Sequence, residues 1–273
     1  MRVRIRFHKK GKVRFTSHRD VARIWERALR KAEVAVSYSQ GFSPRPKLSF
    51  GLALSTGHES EAEFLDLELA GEIAEAGEWT PERGVAMAAR LSSALPVGLD
   101  VVAVAPIEKG DSLQKAVMAC TWSIEVDHVD RAGAEAWVAD VLAREEIVVE
   151  RERKGRPVVD DLRPHVLSLD VAGTTETGVR LLADLGTQPR ALRPTELLRA
   201  VDPPLTARTV CRMHQWMSQG DDREEPLMAP VPPCPVGERA DVMRRETTHV
   251  REHGRRATDR NGPSVRHHEQ RSG

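Results

Sequence analysis

The sequence predicts an α+β fold: two tandem βαββαβ halves with antiparallel sheets, then a disordered C-terminal tail. Three observations predict it. Over residues 1–110 the hydrophobic pattern switches between period two and period 3.6 in the order strand, helix, strand, strand, helix, strand. A similar order returns over 111–217. Beyond 218 the pattern gives way to a proline-rich stretch and an Arg- and His-rich end with too few apolar positions to offset the entropy of ordering. The repeated order is the ferredoxin-like plan. Right-handed crossovers would put both helices of each half on one side of its sheet and leave the other side open.

The elements follow in turn. "RVRIRF" alternates basic and apolar residues, so a strand would bury Val3, Ile5 and Phe7 and present Arg2, Arg4 and Arg6 on its other face; "KVRFT" resumes that alternation after Gly11. Ser17 is an N-cap, with Asp20 three residues on in a variant of the capping box. The helix that follows carries a core stripe of Val21, Ile24, Trp25, Ala28 and Leu29. "VAVSYSQG" reads as a short strand, "KLSFGLAL" as an extended segment favoured by Pro46, and "EAEFLDLEL" as a strand. Thr80 caps a second helix that begins with Pro81 and turns Val85, Ala88, Leu91 and Leu95 inward, and "GLDVVAVAPI" closes the half. In the second half "AVMACTWSIEVD", "EIVVERERKG" and "GVRLLADLG" read as strands, "RAGAEAWVADVLARE" and "RPTELLRAV" as helices, and "RPVVDDLRPHVLSLDV" as a long excursion.

Charge divides the chain, although its formal net charge is zero. Residues 1–50 carry fourteen Lys and Arg against three acids, whereas 51–80 carry eight acids and no Lys or Arg, which implies a basic and an acidic side. Three dispersed cysteines argue against a disulfide scaffold and against a closed metal cluster, and suit a reducing cytoplasm. No segment approaches the length of a membrane span, and no apolar export segment follows the basic N-terminus. Neither GxGxxG, a Walker loop, HExxH nor CxxC occurs, so no cofactor and no metal site is expected.

The chemistry concentrates in residues 14–47. Arg19, Arg23 and Arg27, with Arg30 and Lys31, cover the solvent side of the first helix, and Arg14, Arg45 and Lys47 would join them if the next loop folded over it. Such a field meets phosphates. "SYSQGFSPRPK" adds Tyr38, Gln40, Phe42 and Ser43, a mixture suited to stacking and hydrogen bonding against bases or a small ligand. Beside Ser17, His18 and Asp20 are the candidate catalytic pair, although residues two apart on a helix do not share a face. The leading expectation is an RNA-associated accessory or substrate-presenting protein in RNA modification, maturation or translation. Its alternatives are an RNA-modifying or RNA-cleaving enzyme using His18 or Asp20, and a subunit that docks on another enzyme through the acidic side.

One family shares these motifs. Arg14, Phe15, Ser17, His18 and Asp20, then Tyr38 to Phe42 with Pro44, Pro46 and Lys47, then Gly57, Glu59 and Ser60, resemble the pattern of the bacterial radical-SAM-linked or radical-SAM-associated proteins, the DUF2344 family. Pro96, Gly98, Arg163 and Pro164 are similar to that pattern too, while Arg45 stands where many relatives have histidine. The resemblance is strong over 2–110, thinner to 217 and absent from the tail. It implies a link to a radical-SAM enzyme through partnership, since the chain has no CxxxCxxC cluster motif, and it places the function in the opening motif.

Overall fold

In a computed structural model the described residues are 1–71, 79–108, 112–217 and 223–228. They form a mixed α+β protein whose main sheet is mostly antiparallel. β1 (Arg2–Lys9) leads through a 3-10 turn (Gly11–Phe15) into α1 (His18–Lys31). β2 (Leu48–Phe50), β3 (Glu59–Glu68), α2 (Pro81–Ala94) and β4 (Leu99–Pro106) follow. Next come α3 (Leu113–Ala116), β5 (Ala119–Asp127), α4 (Arg131–Ala143), β6 (Val148–Arg153) and β7 (Arg156–Asp161). The order ends with β8 (Val166–Thr174), β9 (Gly178–Gly186), α5 (Pro194–Ala200) and β10 (Ala207–Trp216).

The strand order is β4-β1-β3-β10-β5-β9-β8, with β2 also on β3. Within 1–106 every pairing is antiparallel, in register pairs such as Ile5 with Leu65 and Ile5 with Val104. Within 119–216 the pairings are again all antiparallel, for example Ile124 with Leu181 and Ile124 with Val210. The parallel contact of Cys211 and Arg212 with Glu59 and Ser60 joins the two into one sheet. That seam sets the candidate site.

Local chemistry explains the helices. Ser17 Oγ accepts from Asp20 N at 3.2 Å and donates to Asp20 Oδ2 at 2.7 Å, a reciprocal N-cap. Thr80 and Asp130 cap α2 and α4 by accepting from Arg83 N and Gly133 N, at 3.4 and 2.7 Å. One core cluster gathers Val3, Ile5 and Phe7 under α1 and α2, where Phe7 meets Trp25 edge to face at 4.9 Å. A second gathers Ile124, Leu181 and Val210 with Trp137 of α4 and Leu197 of α5. At Gly98 (φ 94°) an added Cβ would lie 2.3 Å from the Lys10 carbonyl oxygen, so the turn into β4 requires glycine.

Several expectations change. "KVRFT" is the 3-10 turn, and "VAVSYSQG" makes only the isolated bridges Val36–Leu69 and Tyr38–Pro46. Val85 is exposed, and Gly84 and Met87 take its place on the buried face of α2. "EIVVERERKG" contributes β6, which pairs with β7 in a separate hairpin; the sheet strand comes instead from Val166–Thr174, which begins within the supposed excursion. Alternation in "EIVVERERKG" imitates a sheet strand because a hairpin has the same period.

The face of β1 opposite the helices is covered in part. Arg4 makes two hydrogen bonds to Asp66, at 2.7 and 3.0 Å, and donates to the Pro226 carbonyl at 3.2 Å. Arg6 pairs with Glu225, which also meets His214 Nδ1 at 3.1 Å. Arg4 and Arg6 are buried, so this side is neither the exposed basic row nor fully open as expected. Residues 223–228, whose composition predicts part of a disordered tail, return to the sheet, because β1 supplies two arginines whose burial demands partners. The rest of the tail lies outside the described residues. Among the described residues no helix is long and apolar enough to cross a membrane.

Candidate functional site

The motif residues separate into groups with different duties. Arg14 Nη1 meets Glu59 Oε1 at 3.0 Å, its carbonyl accepts from Gly57 N at 2.8 Å, and its guanidinium stacks over Phe15 at 4.7 Å. Glu59 also accepts from Gly11 N at 2.9 Å. These bonds brace the 3-10 turn against the start of β3. Arg163 donates to the carbonyls of Leu142 and Arg144 at 3.1 and 3.0 Å, which satisfies the C-terminal end of α4. Arg14 and Arg163 therefore hold the fold, however functional they look in sequence.

Arg19, Arg23 and Arg27 recur every four residues, so they share one exposed row of α1. Arg23 lies 3.4 Å from Asp20, with both side chains about half exposed; among the described residues the guanidinia of Arg19 and Arg27 make no ion pair. Asp20 is engaged in the cap, and the Ser17 hydroxyl bonded to it holds its carboxyl below the usual range. His18 is exposed and packs edge to face on Phe50 at 5.2 Å. Ser17 and Asp20 come together as a helix cap, and among the described residues no hydrogen bond joins His18 to Asp20.

The loop closes on itself. Ser39 N donates to the Arg45 carbonyl at 2.8 Å, Arg45 N to Ser39 Oγ at 3.1 Å, and Lys47 N to the Ser37 carbonyl at 2.9 Å. The result is a small hairpin with Gln40, Phe42 and Ser43 at its tip. Phe42 is fully exposed, Tyr38 and Arg45 are exposed at the base, and Lys47 sits 3.5 Å from Glu68. Lys47 pulls the Glu68 carboxyl below its usual range. The condition for Arg45 and Lys47 to join the α1 row was a loop folded over the helix; among the described residues no hydrogen bond or ion pair joins the two, and the loop's polar backbone groups are satisfied within the hairpin.

Sequence reading missed a second region, at the seam where β3 meets β10. Arg212 is 1% exposed and its Nη2 donates to both Glu63 Oε1 and the Leu52 carbonyl, the latter at 2.9 Å. Its guanidinium stacks over Trp122 at 5.6 Å, and burial pushes the nearby Cys120 thiol up to about 11. Close by, buried Lys9 donates to the carbonyls of Thr16 and Arg14 at 3.1 and 3.4 Å, and burial lowers its pKa. His58 packs edge to face on Trp122 at 5.9 Å, and burial, with Arg212 next in effect, lowers its pKa to about 4. Trp122 Nε1, Arg212 Nε and His58 Nδ1 are buried without a hydrogen-bond partner among the described residues.

A cavity of about 420 Å³ opens at this seam, between the 52–58 loop and the segment 185–194. Its signal in sequence is parity. Lys9 extends the inward series Val3, Ile5 and Phe7, Glu63 that of Leu65 and Leu67, and Arg212 that of Val210. Three charges at inward positions on neighbouring strands must find one another or leave buried ions unpaired.

The family of uncharacterised proteins conserved in bacteria, DUF2344, matches residues 2–194. A search of curated proteins finds no match. The matched span includes the first half, the separate hairpin and most of the second half, and the chain belongs to that family.

Proposed function

We propose that this DUF2344 protein is an RNA-associated accessory protein that holds or presents single-stranded RNA for modification, maturation or translation, on a scaffold of two ferredoxin-like halves. The scaffold reading is supported by strand order. β4-β1-β3-β2 and β10-β5-β9-β8 both run fourth, first, third, second once the β6–β7 hairpin is set aside. The RNA reading is carried by one observation: Arg19, Arg23 and Arg27 form an exposed row while the same half holds out Tyr38, Phe42 and Arg45 on a self-closed hairpin. Guanidinia meet phosphates, and exposed rings give bases a stacking surface without sequence preference. Binding is favoured over catalysis because Asp20 is committed to the helix cap and His18 has no hydrogen-bond partner among the described residues.

The test is ultraviolet crosslinking in cells, followed by sequencing of bound RNA and mapping of the crosslinked peptides. Crosslinks are expected on the peptide that contains Tyr38 and Phe42. Recovery of a protein partner, such as a radical-SAM enzyme, with no RNA would overturn the reading and establish a docking subunit instead.

A further inference from the structure

The cavity at the seam has the build of a small-ligand site. Its volume of about 420 Å³ falls within the range of pockets that enclose small organic molecules. Leu52, Leu185, Leu192 and the Trp122 ring give it apolar walls, and none of its lining residues is acidic. Three arginines line it, and their partners differ. Arg212 is compensated by Glu63, and Arg190 by Glu196 and Asp160 at 2.8 and 3.1 Å. Arg193 is exposed, and among the described residues its guanidinium has no ion-pair or hydrogen-bond partner. His58 stays uncharged near neutral pH, so Arg193 supplies the cavity's uncompensated charge. The groove beyond, between the β6–β7 hairpin and α5, is lined by Arg151, Arg190, Arg193 and Arg199 against Glu150 and Glu196, so arginines outnumber acids outward from the mouth.

We propose that this cavity binds a small organic anion, its apolar body against Trp122 and Leu185 and its carboxylate or phosphate head on Arg193. Charge-assisted hydrogen bonds from a guanidinium in a partly enclosed site are strong enough to orient such a head. Trp122 and Arg212 both line the cavity, and each keeps a buried donor, Nε1 and Nε, without a hydrogen-bond partner among the described residues. The site uses none of Arg19, Arg23 or Arg27, so it stands independently of the RNA reading.

The experiment is calorimetric titration of the full chain with 1-naphthyl phosphate as probe and inorganic phosphate as control. Wild type should bind the probe with a dissociation constant below about 1 mM and bind inorganic phosphate at least about tenfold more weakly. Arg193→Ala should weaken the probe about tenfold or more, and Ala53→Trp, which fills the mouth from an exposed position, should abolish binding. Both exchanges are at exposed residues, and an unchanged melting temperature confirms that each variant is folded. Absence of wild-type binding, equal binding of the two phosphates, or unchanged binding in either variant would overturn the proposal. The Arg19/Arg23/Arg27→Ala variant should still bind the probe, which separates failure of this site from failure of the RNA surface.

Discussion

The exposed motif and the buried seam both concentrate charge, but water treats them differently. On α1 and the 38–47 hairpin the charges stand in solvent, where the ion pairs Arg23 with Asp20 and Lys47 with Glu68 are long and screened. At the seam, Arg212, Lys9 and His58 are buried and Glu63 is nearly so, and burial dominates the shifts of Lys9 and His58. A charge in solvent is available to a partner at little energetic cost. A buried one is committed to the fold unless a cavity reaches it, and beside Arg212 one does.

The contrast breaks most visibly at Arg212. Arg212→Ala leaves Glu63 buried without its partner and should cost about 3–5 kcal/mol in denaturant unfolding. The apolar double exchange Arg212→Met with Glu63→Leu should recover most of that loss. A loss below about 1 kcal/mol for the single variant would mean that the seam is wet and no different from the surface.

His58 comes next, and it reads the seam through pH. Its folded pKa, about 4, lies below the unfolded value of 6.5, so the unfolded chain binds the extra proton between those values. The neutral ring's contribution is fully present above pH 6.5 and is lost as pH falls toward 4. The slope approaches about 1.4 kcal/mol per pH unit within that window. His58→Gln should remove this slope, as measured by urea unfolding at a series of pH values. An unchanged slope would assign the acid sensitivity to other groups.

Smaller effects belong to the motif. Ser17→Ala removes the cap of α1 and should lower stability by about 1 kcal/mol, read as a lower melting temperature. Phe42→Ala, at a fully exposed ring, should move stability by less than about 0.5 kcal/mol. It should still weaken single-stranded RNA binding by the worth of one stacked base, about 1–3 kcal/mol in a filter-binding titration. A large stability loss instead would show that Phe42 is a core residue.

The two regions also differed in how far the sequence disclosed them. The cap at Ser17, the Trp25 stripe and the strand at 59–68 were legible because each rests on neighbours in the chain. Exposure of the arginine row followed from the same helical period. What Arg14 does was not legible, since its partner Glu59 lies forty-five residues away and only the fold brings them together. The burial of Arg4 and Arg6 was hidden for the same reason, because the segment that covers them comes from 223–228. The seam was half legible. Charged residues at inward positions on three strands were visible, but which strands would be neighbours depended on the β3–β10 junction, which no local pattern encodes.

The central claim is that the α1 row meets phosphates, and the salt dependence of RNA binding tests it most directly. Binding of a single-stranded oligonucleotide should be measured across a salt series for wild type and for the Arg19/Arg23/Arg27→Ala variant. Loss of three phosphate contacts should reduce the magnitude of the slope of log affinity against log salt by about 2, with the melting temperature nearly unchanged. An identical slope in the two proteins, or wild-type binding indifferent to salt, would contradict the account.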